Sequence, residues 1–546
     1  MITLLVNRST NGSGHDAAYH NLARVQPSAL HAVRAAVFSG DAARDDRRVK
    51  SQMTTPKRYS IVAGACAISL MALTACSGDG GSSGDDVTIH VALGGAGNNH
   101  NPPEDNPIAT GIGEAIGATV VHEQEPEDIS ASLAAGDSPD IFQVTRNELD
   151  TYMEQGLVLD LTPYEDQLGD YVEFVGQDTV DQGRIDDQLM AITPYQNNTN
   201  DGTYWIRQDW LDNLDMEIPT NAEEFREVLR AFTEDDPDDN GSDDTYGLTG
   251  SSPDTYKYLW GAFGTPGPGR IYFDDSGEMR NSYQDEGMAE AVEYIADLEA
   301  SGFVDPDSYS ITALEARDRF FQGTAGVVGV SWTAIVKEPS AGLGREANPD
   351  AEWAQIDQLQ QADGSPGMLA VSTDSASMYA IPSSLEGDDA KIEKIIDYIN
   401  YVSTPEGNRF AMWGEEGTHY ELDDDGNISA LPARDDFENG IFFIYLVAGR
   451  EELPYLEALF PDLMDYIEVA HGQPTVTTWE EYVVPPDGYN RADSDRYSED
   501  QLVQLLTGQQ PASNYPEVVD TLEGQFGYAE FVDAAREQLA DVNTEN

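Results

Sequence analysis

The sequence predicts an α/β protein built as two lobes. Two observations carry that expectation. Val87–Leu93 (VTIHVAL), Ile129–Ala135 and Ser138–Val144 read in order as strand, short helix and strand, an alternation that argues for an α/β lobe. The 471 residues from Cys76 to Asn546 exceed what one hydrophobic core usually serves, so a second lobe is expected.

Each element has a local reason. The first strand alternates apolar and polar positions, and Gly94–Asn99 (GGAGNN) follows it as a loop. No helix follows at G-x-G-x-x-G spacing, so dinucleotide binding is weakly supported. Gly136 stops the short helix. Pro219–Glu223 (PTNAE) opens another helix, with Thr220 and Glu223 at capping-box spacing. Phe225, Val228, Leu229 and Phe232 then fall at i, i+3, i+4 and i+7, which gives one apolar face. Tyr272–Arg280 and Glu421–Ala430 each place turn residues between short runs and read as hairpins. Met288–Leu298 and Ala390–Val402 read as amphipathic helices, and no internal repeat is visible.

Near the N-terminus, Lys57 and Arg58 precede the apolar run Ile61–Cys76, too short to span a bilayer as a helix of about 20 residues would. It ends in Leu73-Thr74-Ala75-Cys76, which resembles the lipobox of bacterial lipoproteins. The resemblance implies cleavage before Cys76, lipid on that cysteine, and display on the outer face of the cell membrane. The competing reading is a single N-terminal membrane anchor. Met53 stands where such a signal would start, so residues 1–52 read as an over-called N-terminal extension, 53–75 as the signal peptide and 76–86 as a Gly/Ser/Asp tether.

Charge excludes one class of partner. Residues 76–546 hold 20 Lys and Arg against 96 Asp and Glu, so nucleic acid, which needs clustered cations, is not expected. The acid is spread along the chain and suits a high-salt exterior, where counterions screen self-repulsion; a salt-tolerant host is inferred. Lysine is scarce there: Lys257, Lys337, Lys391 and Lys394. The two cysteines are Cys66 and Cys76, which leaves the processed chain no disulfide and no cysteine zinc site.

One loop carries metal chemistry. Asp236-Pro237-Asp238-Asp239-Asn240-Gly241-Ser242-Asp243-Asp244 places oxygen side chains at relative positions 1, 3, 5 and 9, with glycine at 6 for a sharp turn. Asp236, Asp238, Asn240 and Asp244, with the Ser242 carbonyl, would wrap a calcium ion of structural role. Gly247 stands where the bidentate acid at position 12 is expected, so Asp243, Thr245, water or a distant segment would complete the shell. The alternative is a solvated acidic turn.

Tyr204–Leu211 (YWIRQDWL), PTNAEEFREVLRAF and DPDDNGSDDTYGL, in that order and spacing, resemble the solute-binding lipoproteins of bacterial carbohydrate ABC importers. These are the family 1 solute-binding proteins, and the nearest subgroup has an EF-hand-like calcium loop and includes alginate-binding proteins. Leu133–Asp140, Phe320–Gly326, Tyr379–Pro382 and Gly414–Tyr420 add to the match. In the alginate binders an acid follows the position-9 aspartate; Thr245 replaces it here. The resemblance implies a type II periplasmic-binding-protein fold, two α/β lobes hinged around a ligand cleft. Lobe 1 would comprise 87–195 and 378–430, and lobe 2 would comprise 196–377 and 431–546. The crossings would fall near Ile192–Asn200 and Ser377–Pro382.

A sugar cleft needs aromatic platforms flanked by polar side chains. Tyr195, Asn197 and Asn198 stand at the expected first crossing, and Trp205, Tyr256, Trp260, Trp332 and Trp413 are aromatic candidates. Each of these aromatics has core or rim packing as its alternative. Glu416 and His419 would orient the ligand or cap a helix. The acidic exterior favours a neutral oligosaccharide. The function expected is capture of that sugar by a monomer moored by lipid, without catalysis, and delivery to the permease subunits of an ABC importer. A surface sensor of the same fold, or a lipid-anchored glycoside hydrolase with two carboxylates about 5–10 Å apart, are the alternatives.

Overall fold

The computed structural model describes residues 87–92, 106–197, 200–242, 244–252, 254–372, 378–423, 426–435 and 447–540. The signal, Cys76, the tether and the GGAGNN loop lie outside the described residues.

The first lobe opens with β1 (Thr88–Ala92), α1 (Pro107–Ile116), β2 (Thr119–Glu123), α2 (Ile129–Ala135), β3 (Phe142–Val144) and α3 (Arg146–Glu154). β1 and β2 pair in parallel, and Val91 bridges Ile141 in parallel, so the three strands run one way. Met378–Ala380 closes the sheet antiparallel to β3. Caps set the helices locally: the Asp128 side chain accepts the Ala131 N–H and Gly136, at φ 73°, ends α2. Thr145 and Glu148 form a capping box at the start of α3. The core joins Ile89, Ile112 and Val120 to Tyr379, Ile395 and Ile399, and Val447 and Ala448 complete it.

The second lobe is built on a four-stranded sheet. Gly202–Arg207 lies between Trp353–Ile356 and Ala325–Ser331, antiparallel to both, and Ala325–Ser331 pairs in parallel with Tyr246–Thr249. All six residues of Gly202–Arg207 are buried, because helices cover both faces of this sheet. Ala222–Glu234 packs Phe225, Val228, Leu229 and Phe232 into it, as the apolar spacing predicts. Its cap differs from the expected one by a residue: Asn221 accepts the Glu224 N–H, while Thr220 donates its own N–H and hydroxyl to Glu224. The two hairpins form as Ile271–Phe273 with Met279–Asn281 and Tyr420–Leu422 with Ile428–Ala430.

The chain passes between the lobes near residues 195–202. Near residues 448–452 it passes again, beside the first crossing: the Tyr195 N–H donates to the Ala448 carbonyl at 2.8 Å. Gly449 has φ 75°, and a Cβ there would fall 2.5 Å from the Tyr195 nitrogen, so this close approach requires glycine. Between these two passes the chain returns to the first lobe after Leu369–Ser372, with Leu369 in the second lobe's core, and before Met378–Ala380 in the first lobe's sheet; 373–377 lie outside the described residues.

Candidate functional site

A cavity of about 400 Å³ opens where the two crossings meet the second lobe. Asn197 and Asp201 reach it from the first crossing, and Arg450 and Glu452 from the other. Trp332, Thr333 and Lys337 follow the strand Ala325–Ser331, and Tyr455, Phe460 and His471 complete most of the wall. Ligands in open α/β sheets gather beyond the carboxyl ends of strands, which is where Trp332 stands.

Asn197 ties the crossings together. Its Nδ2 donates to the Arg450 carbonyl at 2.6 Å, and its Oδ1 accepts the Glu452 N–H at 3.0 Å. The side chain thus copies the donor and acceptor of a strand neighbour. Arg450 is held by Glu452 through two bonds of 2.6 and 2.9 Å, and its guanidinium lies 3.6 Å from the Tyr455 ring centre. Trp332 packs edge-on against Phe460 at 5.4 Å. Both ring nitrogens of His471 are shielded from solvent without a hydrogen-bond partner. Burial pushes its pKa down, against the opposing charges of Glu452 and Asp201. Aromatic faces beside such polar atoms suit a hydroxyl-rich ring.

Of the residues singled out in sequence, Asn197 and Trp332 come together in this wall. Tyr195 is adjacent, half-buried and packed on Phe174. Asn198 lies outside the described residues. The other aromatics are structural, which corrects the expectation for them. Trp205 is fully buried on the opposite face of its strand from Tyr204, against Tyr466. Tyr256 is buried with its hydroxyl on Glu299, and Trp260 sits in the second lobe's core. Trp413 lies behind the wall, 1% exposed, packed on Tyr455 and Arg434. His419 Nδ1 accepts the Glu415 N–H and holds a turn after the helix Pro405–Trp413, while Glu416 is exposed. Residues 450–471, which supply half the wall, were missed. The signal available was an arginine followed at five and ten residues by Tyr455 and Phe460 in a cation-poor chain.

The acidic loop has the wrapped shape its glycine implies, with Gly241 at φ 81°. Asp236 accepts the N–H groups of Asn240 and Gly241, and the Asn240 amide donates to Asp238 at 2.9 Å and Asp244 at 3.1 Å. Burial, then contact with Asp236, holds the Asp238 carboxyl above its ordinary range. These oxygens suit a hard cation in kind. Among the described residues, however, no three acidic or histidine side chains are gathered as a metal site would gather them.

The family model for bacterial extracellular solute-binding proteins matches residues 115–409. A polygalacturonan/rhamnogalacturonan-binding protein of Bacillus subtilis, YtcQ, is 25% identical over 307 residues, 54% of this chain and 59% of that protein. Lipoprotein LipO of the same organism is 27% identical over 228 residues, 40% of this chain and 44% of its own length. The chain therefore matches about half the length of these curated relatives. A solved solute-binding protein of Bifidobacterium longum infantis, described as binding HMO, superposes with a TM-score of 0.63 at 15% identity. That match covers 84% of this chain and 98% of that one, and at such identity it speaks for the fold alone.

Proposed function

Because the chain belongs to the bacterial extracellular solute-binding proteins, we propose that it captures an oligosaccharide outside the cell and passes it, unaltered, to the permease of an ABC importer. The observation that carries this reading is the cavity beside the two crossings, where Trp332, Tyr455 and Phe460 stand among Asn197, Glu452 and His471. Hinge rotation at those crossings would close the lobes over a bound sugar. The polysaccharide named for YtcQ supports a saccharide ligand. The test is calorimetry and small-angle scattering of the purified domain with oligosaccharides. Binding with a smaller radius of gyration and no cleavage is expected, and hydrolysis of the ligand would overturn the reading.

Anchoring at Cys76 is part of the same proposal, supported by Leu-Thr-Ala-Cys and by the lipoprotein among the relatives. Among the described residues no helix is long and apolar enough to cross a membrane. A Cys76→Ala variant should be released from cells into the medium; full retention would refute the anchor.

Calcium at Asp236, Asp238, Asn240, Ser242 and Asp244 belongs to the proposal too. The Asn240 amide bridges two carboxylates, and a half-turn of that amide would offer its oxygen, beside theirs, to a cation. The ion would brace the loop after the helix Ala222–Glu234. Calcium at about a hundred times its Kd should add about 2.7 kcal/mol to stability. Melting unaffected by chelator would remove this part of the reading.

A further inference from the structure

We propose that the cavity takes a sugar carrying a carboxylate, a uronic-acid unit within an oligosaccharide, with the Lys337 ammonium as its counter-ion. The inference rests on the oligosaccharide-binding reading above and narrows it. Carboxylates outnumber cations 100 to 29 in this chain, so a cation normally finds an acid close by. Lys391 and Lys394 do, on Asp140 and Asp397. Lys337 does not: among the described residues no carboxylate lies within salt-bridge distance of it, although it is half-buried in the cavity wall. Lys257 also lacks such a pair but is exposed to solvent. The Lys337 ammonium lies 4.6 Å from the Phe460 ring centre, which holds it on the wall and leaves its hydrogens for an acceptor.

The surroundings balance charge where the chain as a whole is strongly acidic: two cations and two carboxylates line the cavity. Arg450 stacks on Tyr455, and buried Arg434 lies 5.7 Å from the same ring and 4.7 Å from Trp413. Within the lining Arg450 is taken up by Glu452, which leaves Lys337 and the exposed carboxylate of Asp201, while Arg434 lies behind the wall. The acidic exterior does not cancel this, because exposed charges are screened beyond about 10 Å at ordinary salt. The expectation of a neutral ligand follows from net charge; Lys337, half-buried in the wall with no acid at salt-bridge distance among the described residues, points the other way.

The experiment compares two panels of matched length by calorimetry: oligogalacturonides, oligoglucuronides and alginate oligomers against fructan, galactan and mannan oligomers. An acidic oligomer should bind, its methyl ester should bind at least about tenfold more weakly, and Lys337→Gln should lose a similar factor. Lys337→Arg should recover most of the affinity, and binding of the acidic ligand should weaken with added salt. A neutral oligomer that binds wild type and Lys337→Gln equally well, with no acidic ligand bound, would overturn this inference and leave the solute-binding reading standing. No binding from either panel would overturn both. Equal melting temperatures of the variants would separate loss of contact from loss of fold.

Discussion

Glu125, just beyond β2, offers a measurable link between burial and pH. It is 8% exposed, and its Oε2 is buried without a hydrogen-bond partner. Burial raises its pKa from 4.5 to about 7; the Gln143 backbone N–H opposes the rise and the charge of Glu148 adds to it. The unfolded chain ionises this carboxyl at lower pH than the folded chain does. Stability attributable to Glu125 is therefore intact below pH 4.5 and falls as pH rises through about 7. The full rise corresponds to about 3 kcal/mol, and about 2 kcal/mol after allowance for solvent at one edge. Glu125→Gln keeps the shape and removes the charge. The variant should melt a few degrees above wild type at about pH 8 and match it near pH 4, at fixed ionic strength. A difference that is constant across that range, or that grows toward acid, would refute the burial argument.

His122 should act at the other end of the scale. It is buried, with its ring nitrogens near Tyr398 Oη and Asn106 Nδ2, and burial lowers its pKa from 6.5 to about 3. Stability should then be lost as pH falls from 6.5, and His122→Gln should flatten that limb of a melting profile. Asn197→Ala should cost about 2 kcal/mol by removing both bonds to residues 450 and 452, read by denaturation of the ligand-free protein. With a net charge of −71, the protein should melt higher as sodium chloride rises from about 0.1 M to about 1 M, where the screening length drops to about 3 Å; an unchanged melting point would sink the claim that self-repulsion limits it.

Local rules were legible and long-range assembly was not. α2 has the bounds expected, because Asp128 and Gly136 punctuate it in sequence. The apolar face of Ala222–Glu234 is likewise written in its spacing. Trp205 misled because a strand buried on both faces can carry a large aromatic on either one, as Tyr204 and Trp205 do, so residue type alone does not mark a platform. The cavity wall joins segments near residues 197, 332 and 450–471, and nothing in any one of them announces the others. Asn197 was legible through its place at a crossing; its role as a link to residues 450 and 452 required that second pass to be seen.

That second pass has a consequence for how the protein is made. The first lobe's core begins at Ile89 and is closed by Val447 and Ala448, so a nascent chain lacking those last residues has every strand of that sheet and still an unsealed interior. Such distant closure slows folding, since the loop between must be ordered before its contacts form. Maturation of this half therefore waits on the near-complete polypeptide, and truncation before residue 447 should leave it loosely packed rather than merely shorter.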